Sequence, residues 1–167
     1  MKLDTLEEVF VEQIADLYSA EQQLVQALPK MAQAANNDEL RDAFQTHLEE
    51  TRGHLKRVEE ALGEIGVSTP TEECKAMKGL IAEGEELIQK DGDPVAKDAA
   101  LIGAAQRVEH YEIAAYGTAR QLADDCGYDS IKDLMDQTLD EESQADKLLT
   151  KIATGGMFKA GLNQQAV

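Results

Sequence analysis

Acidic side chains fall in register with apolar residues in four separate segments of this sequence. Glu21, for example, follows Leu17 by four residues and precedes Leu24 by three, which puts its carboxylate on the apolar face of a helix. A buried carboxylate is unstable unless a cation, a hydrogen-bond donor or a path to solvent compensates its charge. The pattern therefore indicates side chains placed for chemistry.

The same arrangement recurs in three later segments, again at steps of three or four residues. The residues in register are His47, Glu50 and His54, then Glu109 and Glu112, and finally Glu142 and Asp146. A single acid of this kind is more often an exposed residue beside the stripe, but four helices with one near the middle favour a shared site. Metal sites in helical bundles combine Glu from several helices with nearby His. The pattern predicts a carboxylate-rich site for two metal ions, with iron as the first choice.

The composition argues against several other function classes. The 167 residues include 33 acidic and 16 basic side chains, and the resulting formal charge of −17 repels phosphate backbones and anionic lipids. No run approaches the roughly 20 apolar residues of a membrane span, and the first residues do not resemble a secretory signal. Two cysteines, Cys74 and Cys126, are too few for a disulfide framework. We therefore expect a cytoplasmic protein that binds neither nucleic acid nor membranes.

Long helices must position these side chains, because apolar residues recur with helical periodicity through most of the chain. The length fits a single domain over residues 1–167. The predicted helices cover about residues 4–35, 39–65, 73–90, 95–126 and 130–154. A weakly patterned tail follows over 155–167. Pro29 lies inside the first helix and predicts a bend or break near Ala27.

Short turns join the first two long helices and the last two, so each pair should form an antiparallel hairpin. The connection between the hairpins is long and contains the short helix over 73–90. Two hairpins joined by one long crossover form the ferritin-like topology of four-helix bundles. The predicted fold class is therefore all-α, a ferritin-like four-helix bundle with a short extra helix in the crossover.

The two hairpins also resemble each other in sequence. The segment QTHLEET at 45–51 aligns with QTLDEES at 137–143 at an offset of 92 residues. The same offset places Glu50 opposite Glu142, and His54 opposite Asp146. The hairpins are interpreted as divergent copies, with Glu50 and Glu142 at comparable positions.

Longer strings carry a resemblance to a known family. These are DLYSAEQQL, HLEET followed by His54, QRVEHYEIAAYGTARQLA, and LDEESQAD. They resemble the YciE/YciF family of bacterial stress proteins, a ferritin-like family related more distantly to rubrerythrins. The likeness covers about Leu6 to Ala153. It implies a helical homodimer with a di-metal centre in each bundle and a poorly defined biochemical role.

The resemblance also implies a set of metal ligands. These are Glu21, Glu50, His54, Glu109, Glu112 and Glu142, with Asp146 where many ferritin-like proteins carry a second His. Glu50 and Glu142 would bridge or flank the two ions, Glu21 and either Glu109 or Glu112 would bind terminally, and whether Glu109 and Glu112 both bind stays open. Whether His54 binds a metal or only orients a ligand stays open, because it lies four residues from Glu50 rather than the usual three. Two Fe ions are expected, and a single His among many carboxylates keeps Mn or a mixed Mn/Fe pair as an alternative.

Such a site suits redox chemistry with oxygen or peroxide as a small oxidant. Ferroxidase, peroxidase and catalase-like reactions all fit the residues, so the activity, if there is one, stays open from the sequence. The alternative is a non-catalytic helical-bundle scaffold, or a stress protein that binds metal without turnover. The sequence thus predicts a stress-associated, ferritin-like protein with a di-iron centre.

Overall fold

A computed structural model describes residues 3–68, 70–156 and 159–166 of the chain. The five main helices are α1 (Leu6–Ala34), α2 (Asp38–Ile65), α3 (Lys75–Gln89), α4 (Pro94–Cys126) and α5 (Asp129–Thr154). Two short strands, β1 (Gly155–Gly156) and β2 (Lys159–Ala160), and one helical turn, α6 (Leu162–Gln165), follow them. The predicted all-α class is confirmed.

Polar caps and left-handed glycines mark the helix ends. The Thr5 side chain opens α1 as part of a capping box, and the Asn37 and Asp93 side chains accept hydrogen bonds at the starts of α2 and α4. Gly66 and Gly127 end α2 and α4 at φ angles of 76° and 82°, where a side chain would be strained. These local signals set the lengths of the helices that carry the site.

The helices form a bundle of two hairpins. α1 packs against α2 and α4 packs against α5, and the two hairpins meet through α1 with α4 and α2 with α5. The crossover helix α3 packs across α1 and α4. Among the described residues, no helix is long and apolar enough to cross a membrane.

Two apolar clusters divide the interior of the bundle along its axis. One lies at the end covered by α3 and includes Leu28 and Phe44, and the other lies at the opposite end and includes Phe10 and Met135. Buried ionisable residues such as Glu112 lie between them, at the middle of each long helix. The bundle therefore has a polar layer with a dry apolar region on either side.

Of the bend or break predicted near Ala27, the break is wrong, because helix α1 continues through Pro29. Pro29 is exposed, and a lost backbone hydrogen bond on that side can be replaced by water. Packing against α2 and α4 holds the helix on both sides of the proline. The whole length of α1 thus supports the site.

The segment after α5 turns back onto the bundle. β1 pairs with β2 in antiparallel register, and α6 packs against α4 and α5 with Leu162 buried. Gly155 has a φ of 75°, and a Cβ there would lie 2.3 Å from the Gly161 nitrogen. The close approach requires glycine at position 155.

Candidate metal centre

Six ionisable side chains meet in the polar layer between the two apolar clusters. α1 supplies one, α2 two, α4 two and α5 one, and the residues are Glu21, His47, His54, Glu109, Glu112 and Glu142. None of them is more than 5% exposed. Their helices place them at similar depth in the bundle, so side chains far apart in sequence come together.

The six side chains fall into two groups of possible metal ligands. One group is Glu21, His54 and Glu142, and the other is His47, Glu109, Glu112 and Glu142. Within each group, one ligand atom per residue lies within 4.8 Å of the others. Glu142 belongs to both groups. Its two carboxylate oxygens can therefore serve two neighbouring ions.

Eight buried oxygen and nitrogen atoms in this layer have no hydrogen-bond partner. They come from all six residues and include both carboxylate oxygens of Glu112 and of Glu142. An unpartnered buried polar group costs about 1–3 kcal/mol, so a fold rarely keeps several together without a ligand. Carboxylate oxygens and imidazole nitrogens are donors for divalent first-row metal ions. The layer therefore fits metal ions.

His54 is held in an orientation that leaves one ring nitrogen toward the layer. Its Nε2 lies 2.9 Å from Oε2 of Glu141. The Arg57 guanidinium donates hydrogen bonds to both oxygens of Glu141, at 2.7 Å to Oε2 and 2.9 Å to Oε1. Burial would raise the pKa of Glu141, but hydrogen bonds from Arg57, Gln137 and His54 lower it to about 2. An ionised Glu141 accepts a hydrogen bond from the N–H at Nε2. Nδ1 of His54, 2.8 Å from Glu142, is therefore the nitrogen available to a metal.

His47 has a similar arrangement on the same helix. Its Nδ1 lies 3.3 Å from Oε2 of Glu50, while its Nε2 lies 3.5 Å from Glu109 and 3.7 Å from Glu142. Glu50 thus contacts the outer side of the ring and leaves Nε2 toward the layer. Each imidazole has a carboxylate behind it, as metal-binding histidines usually do.

Tyr116 orients the acid that α1 contributes. Its hydroxyl donates a hydrogen bond to Oε1 of Glu21, and its ring packs edge-on against His54. Tyr116 is fully buried, and burial together with the charges of Glu21 and Glu112 raises its pKa well above the usual value. The phenol therefore stays a donor, and Oε2 of Glu21 is left for a ligand.

Most acids in the layer resist ionisation unless a cation is present. Burial raises the pKa of Glu21 to about 7 and raises the pKa values of Glu109 and Glu112 well above the usual carboxyl range. For Glu112 the charges of Glu142 and Glu21 add to the effect of burial. A divalent ion would supply the positive charge that these carboxyls lack.

Glu142 and the two histidines behave differently from the other acids. Burial opposes ionisation of Glu142, but the close contact with the His54 imidazole and the charge of His47 lower its pKa. Burial also opposes protonation of His47, yet Glu109 and Glu50 raise its pKa to about 10. Protonated imidazoles around Glu142 thus provide part of the positive charge that metal ions would otherwise provide.

The structure brings five of the seven predicted ligands into the layer. They are Glu21, His54, Glu109, Glu112 and Glu142. Glu50 and Asp146 belong to neither group. The Glu50 side chain is 40% exposed at the edge of the layer, and Asp146 accepts a hydrogen bond from Gln106 and lies 3.3 Å from His110. His110 itself is exposed, as its position on the helix predicts.

Two residues of the site, His47 and Glu141, are not among the predicted ligands. His47 was recognised in the stripe of α2 but not among the ligands, although its distance of seven residues from His54 puts both on one helical face. Glu141 was not singled out. Nothing in the sequence distinguishes it from its neighbour Glu142, since the partner that orients it, Arg57, lies on another helix.

A four-helix bundle with a buried layer of carboxylates and imidazoles defines a ferritin-like helical protein with a possible metal site. Residues 5–165 match the model of a domain family of unknown function, DUF892, and the chain belongs to that family. It is 43% identical over 165 residues to Protein YciF of Escherichia coli strain K12, covering 98% of this chain and 99% of that protein. The predicted resemblance to YciF-type stress proteins is confirmed.

Solved structures support the same assignment. The crystal structure of the E. coli stress protein YciF matches with a TM-score of 0.86 and 45% identity, covering 89% of this chain and 94% of that one. YcfI from Rhodopseudomonas palustris matches with a TM-score of 0.87 and 37% identity, covering 92% of this chain and 99% of that one. A Xanthomonas campestris protein at 21% identity and a TM-score of 0.71, covering 88% and 89%, shares the fold.

Proposed function

We propose that this stress-type protein binds two iron ions in the polar layer and uses them in redox chemistry with dioxygen or peroxide. The observation that carries the proposal is the position of Glu142, which belongs to both groups of possible ligands. One shared carboxylate between two sets of donors is the arrangement expected of a two-metal centre.

The charges of the layer balance two divalent ions. Four carboxylates contribute −4 when ionised, the two imidazoles are neutral as metal ligands, and two divalent cations contribute +4. Four Glu and two His are also the usual donor set of carboxylate-bridged metal sites in bundles. The distribution of these donors among the helices differs here, because α2 supplies both imidazoles and α4 supplies two of the acids.

A pair of ferrous ions bound here would supply two electrons to an oxidant. The residues of the chain bind the ions through Glu142 and its neighbours and hold those ligands in place. Glu141 and Glu50 orient the two imidazoles, and Tyr116 orients Glu21. The apolar clusters on either side exclude water, which strengthens the electrostatic interactions inside the layer.

Iron is preferred over manganese because each group contains an imidazole. His47 belongs to one group and His54 to the other, whereas the sequence had suggested a single His for both ions. Imidazole suits iron well, while a site of oxygen donors alone would suit manganese better. Manganese and a mixed pair are the alternatives that metal analysis would separate from iron.

A cavity between α2 and α5, lined by both polar and apolar side chains, offers the ions a way in. It has a volume of about 270 Å³ and reaches His47 and Glu109 in the buried layer. Glu50 and Gln144 line its outer part. Because Glu50 is partly exposed and contacts His47, a cation passing along this cavity would meet a carboxylate before it reaches the ligands.

The second candidate is a helical scaffold without turnover. The R. palustris relative is provisionally described as a structural protein, and it matches this chain over nearly its full length. A scaffold could still use metal ions for stability, because ions that bind only the folded chain stabilise it. The two candidates therefore differ in turnover rather than in metal binding.

Metal analysis of purified protein, with one variant and one control, tests the proposal. We expect about two iron ions per chain in the natural protein, from the two groups of ligands, and loss of both in Glu142→Gln. The control is Asp140→Asn, an exposed position on the same helix, which should keep both ions. A natural protein that binds no metal, or a Glu142→Gln variant that keeps both ions, would overturn the proposal.

Turnover separates the redox proposal from the scaffold. Protein loaded with ferrous ions without oxygen is mixed with dioxygen or with peroxide, and oxidation is followed by the absorbance of ferric iron. Oxidation of the bound ions that is faster than oxidation of free ferrous iron supports redox chemistry. Bound ferrous ions that oxidise no faster than free iron favour the scaffold.

A further inference from the structure

A second, apolar cavity approaches the polar layer from another side. It lies between α1, α3 and α4 and has a volume of about 40 Å³. Leu28, Met31, Ile81 and Val108 are among the apolar side chains that line it, and Glu109 of the metal centre lines it as well. We call it the α3 cavity.

The α3 cavity suits a small uncharged molecule. A water molecule needs about 10–15 Å³ of such volume, so the space has room for a diatomic molecule. Apart from Glu109, the charged residues along its wall are Lys30 and Glu85. These two form an exposed ion pair of 2.6 Å with each other. Apolar cavities bind small apolar molecules or xenon.

Glu109 connects the α3 cavity to the candidate metal centre. It is 2% exposed, its Oε2 has no hydrogen-bond partner, and it belongs to the ligand group that contains His47. Glu109 and Phe44 also line the cavity between α2 and α5. The centre thus has one approach that carries polar side chains and another that is almost entirely apolar.

We propose that the α3 cavity is a binding site for dioxygen, from which the gas reaches the metal centre beside Glu109. Dioxygen is small and apolar and partitions into a space with apolar walls, whereas metal ions and hydrogen peroxide need polar partners and would use the cavity lined by His47 and Glu50. Gas binding follows from the cavity alone. Delivery to the metal rests on the proposed function.

Gly84 of α3 allows the cavity to be filled by one substitution. A Cβ at this buried position would meet only the Met31 sulfur, at an ordinary 3.8 Å, so a larger side chain can extend into the cavity. Gly79 lies on the same helix, is exposed, and would meet nothing within 4 Å. Gly84→Leu and Gly79→Leu therefore make the same change in helix propensity, but only the first fills the cavity. Gly84→Ala is a milder version in case the leucine prevents folding.

Xenon is the first probe, because it reports gas binding without any metal. Crystals of the natural protein and of Gly79→Leu, pressurised with xenon, should show a xenon atom in the α3 cavity, and Gly84→Leu should not. Absence of xenon from this cavity in the natural protein would overturn the inference. Xenon that persists in Gly84→Leu at the same place would also overturn it.

Oxidation of bound ferrous ions then tests delivery. The rate with dioxygen should fall about tenfold in Gly84→Leu relative to Gly79→Leu, while the rate with hydrogen peroxide stays the same. Equal dioxygen rates in the two variants would overturn delivery through the cavity. If the natural protein binds xenon and ferrous ions, but neither dioxygen nor peroxide oxidises the bound ions, the redox proposal fails. The gas-binding site is still supported in that case.

Discussion

Replacing Glu112 by Gln should stabilise the metal-free protein while weakening metal binding in the group that contains His47. Neither oxygen of Glu112 has a hydrogen-bond partner. Burial and the charges of Glu142 and Glu21 raise its pKa well above the usual carboxyl value. Gln has nearly the same shape, carries no charge, and its amide can donate to a neighbouring carboxylate such as Glu21.

The expected gain follows from the cost of unpartnered groups. One buried polar group without a partner costs about 1–3 kcal/mol, and the Gln amide would satisfy one such group. We therefore expect the free energy of unfolding of the metal-free variant to rise by about 1–3 kcal/mol. In a chain of 167 residues, each kcal/mol raises Tm by about 2–4 °C.

Glu142→Gln should change the metal-free protein in the opposite direction. Glu142 lies 2.8 Å from Nδ1 of His54 and 3.7 Å from Nε2 of His47, and these contacts lower its pKa. Removing one partner of a buried ion pair costs about 3–5 kcal/mol, because the other charge stays buried without compensation. Two substitutions of the same chemical type in one layer should thus differ in the sign of their effect.

Urea and thermal unfolding in the presence of a chelator, repeated with ferrous ions and no oxygen, make the test. Glu112→Gln should unfold at higher urea than the natural protein with chelator and gain less from iron. Two results would refute the conclusion that Glu112 destabilises the fold unless a cation is bound. One is a Glu112→Gln protein that is less stable than the natural protein without metal, and the other is a variant that iron stabilises as strongly as it stabilises the natural protein.

Three further predictions address the same layer. Without metal, stability should fall from about pH 5 to pH 9, because the fold keeps protons on Glu21 (pKa about 7 against 4.5) and His47 (about 10 against 6.5) that the unfolded chain has lost. For each extra proton held by the folded state, the unfolding free energy falls by about 1.4 kcal/mol for every unit by which the pH rises, and urea unfolding at several pH values measures this. Iron binding should tighten over the same pH range, because the ligands lose their protons. Arg57→Ala should weaken iron binding about 10- to 100-fold, because Glu141 would no longer be held against the His54 imidazole. The control is Arg52→Ala, an exposed change on the same helix, which should leave iron binding unchanged. Glu21→Gln should cost one ion and leave the other, measurable as bound iron per chain.

The helices could be predicted well because their signals are local. Apolar stripes, caps and glycines act within a few residues, so the first helix, expected over about 4–35, spans Leu6–Ala34, and the crossover helix, expected over about 73–90, spans Lys75–Gln89. The continuity of α1 through Pro29 could not be predicted in the same way. Whether a proline interrupts a helix depends on packing against other helices, which a single segment does not reveal.

The details of the site could not be predicted because they depend on neighbouring helices. The repeat between the hairpins makes Glu50 and Glu142 look equivalent, but Glu142 is fully buried and the Glu50 side chain is 40% exposed. Two histidines already fill the part of the layer that α2 faces, which leaves Glu50 at its edge. Asp146, one helical turn beyond Glu142, hydrogen-bonds to Gln106 of α4 instead. A stripe predicts which face is buried but not which polar member reaches the centre.

The spacing of the two histidines sets the length of the candidate centre along the bundle. Seven residues of helix separate the Cα atoms of His47 and His54 by about 10.5 Å along the axis of α2. Their ring centroids nevertheless lie only 6.1 Å apart, so the two imidazoles converge on the layer from its two ends. Glu142 is the acid that both of them approach, at 3.7 and 2.8 Å. A helix that supplied a single His would serve only one end of such a layer, whereas α2 places one imidazole in each of the two groups of possible ligands.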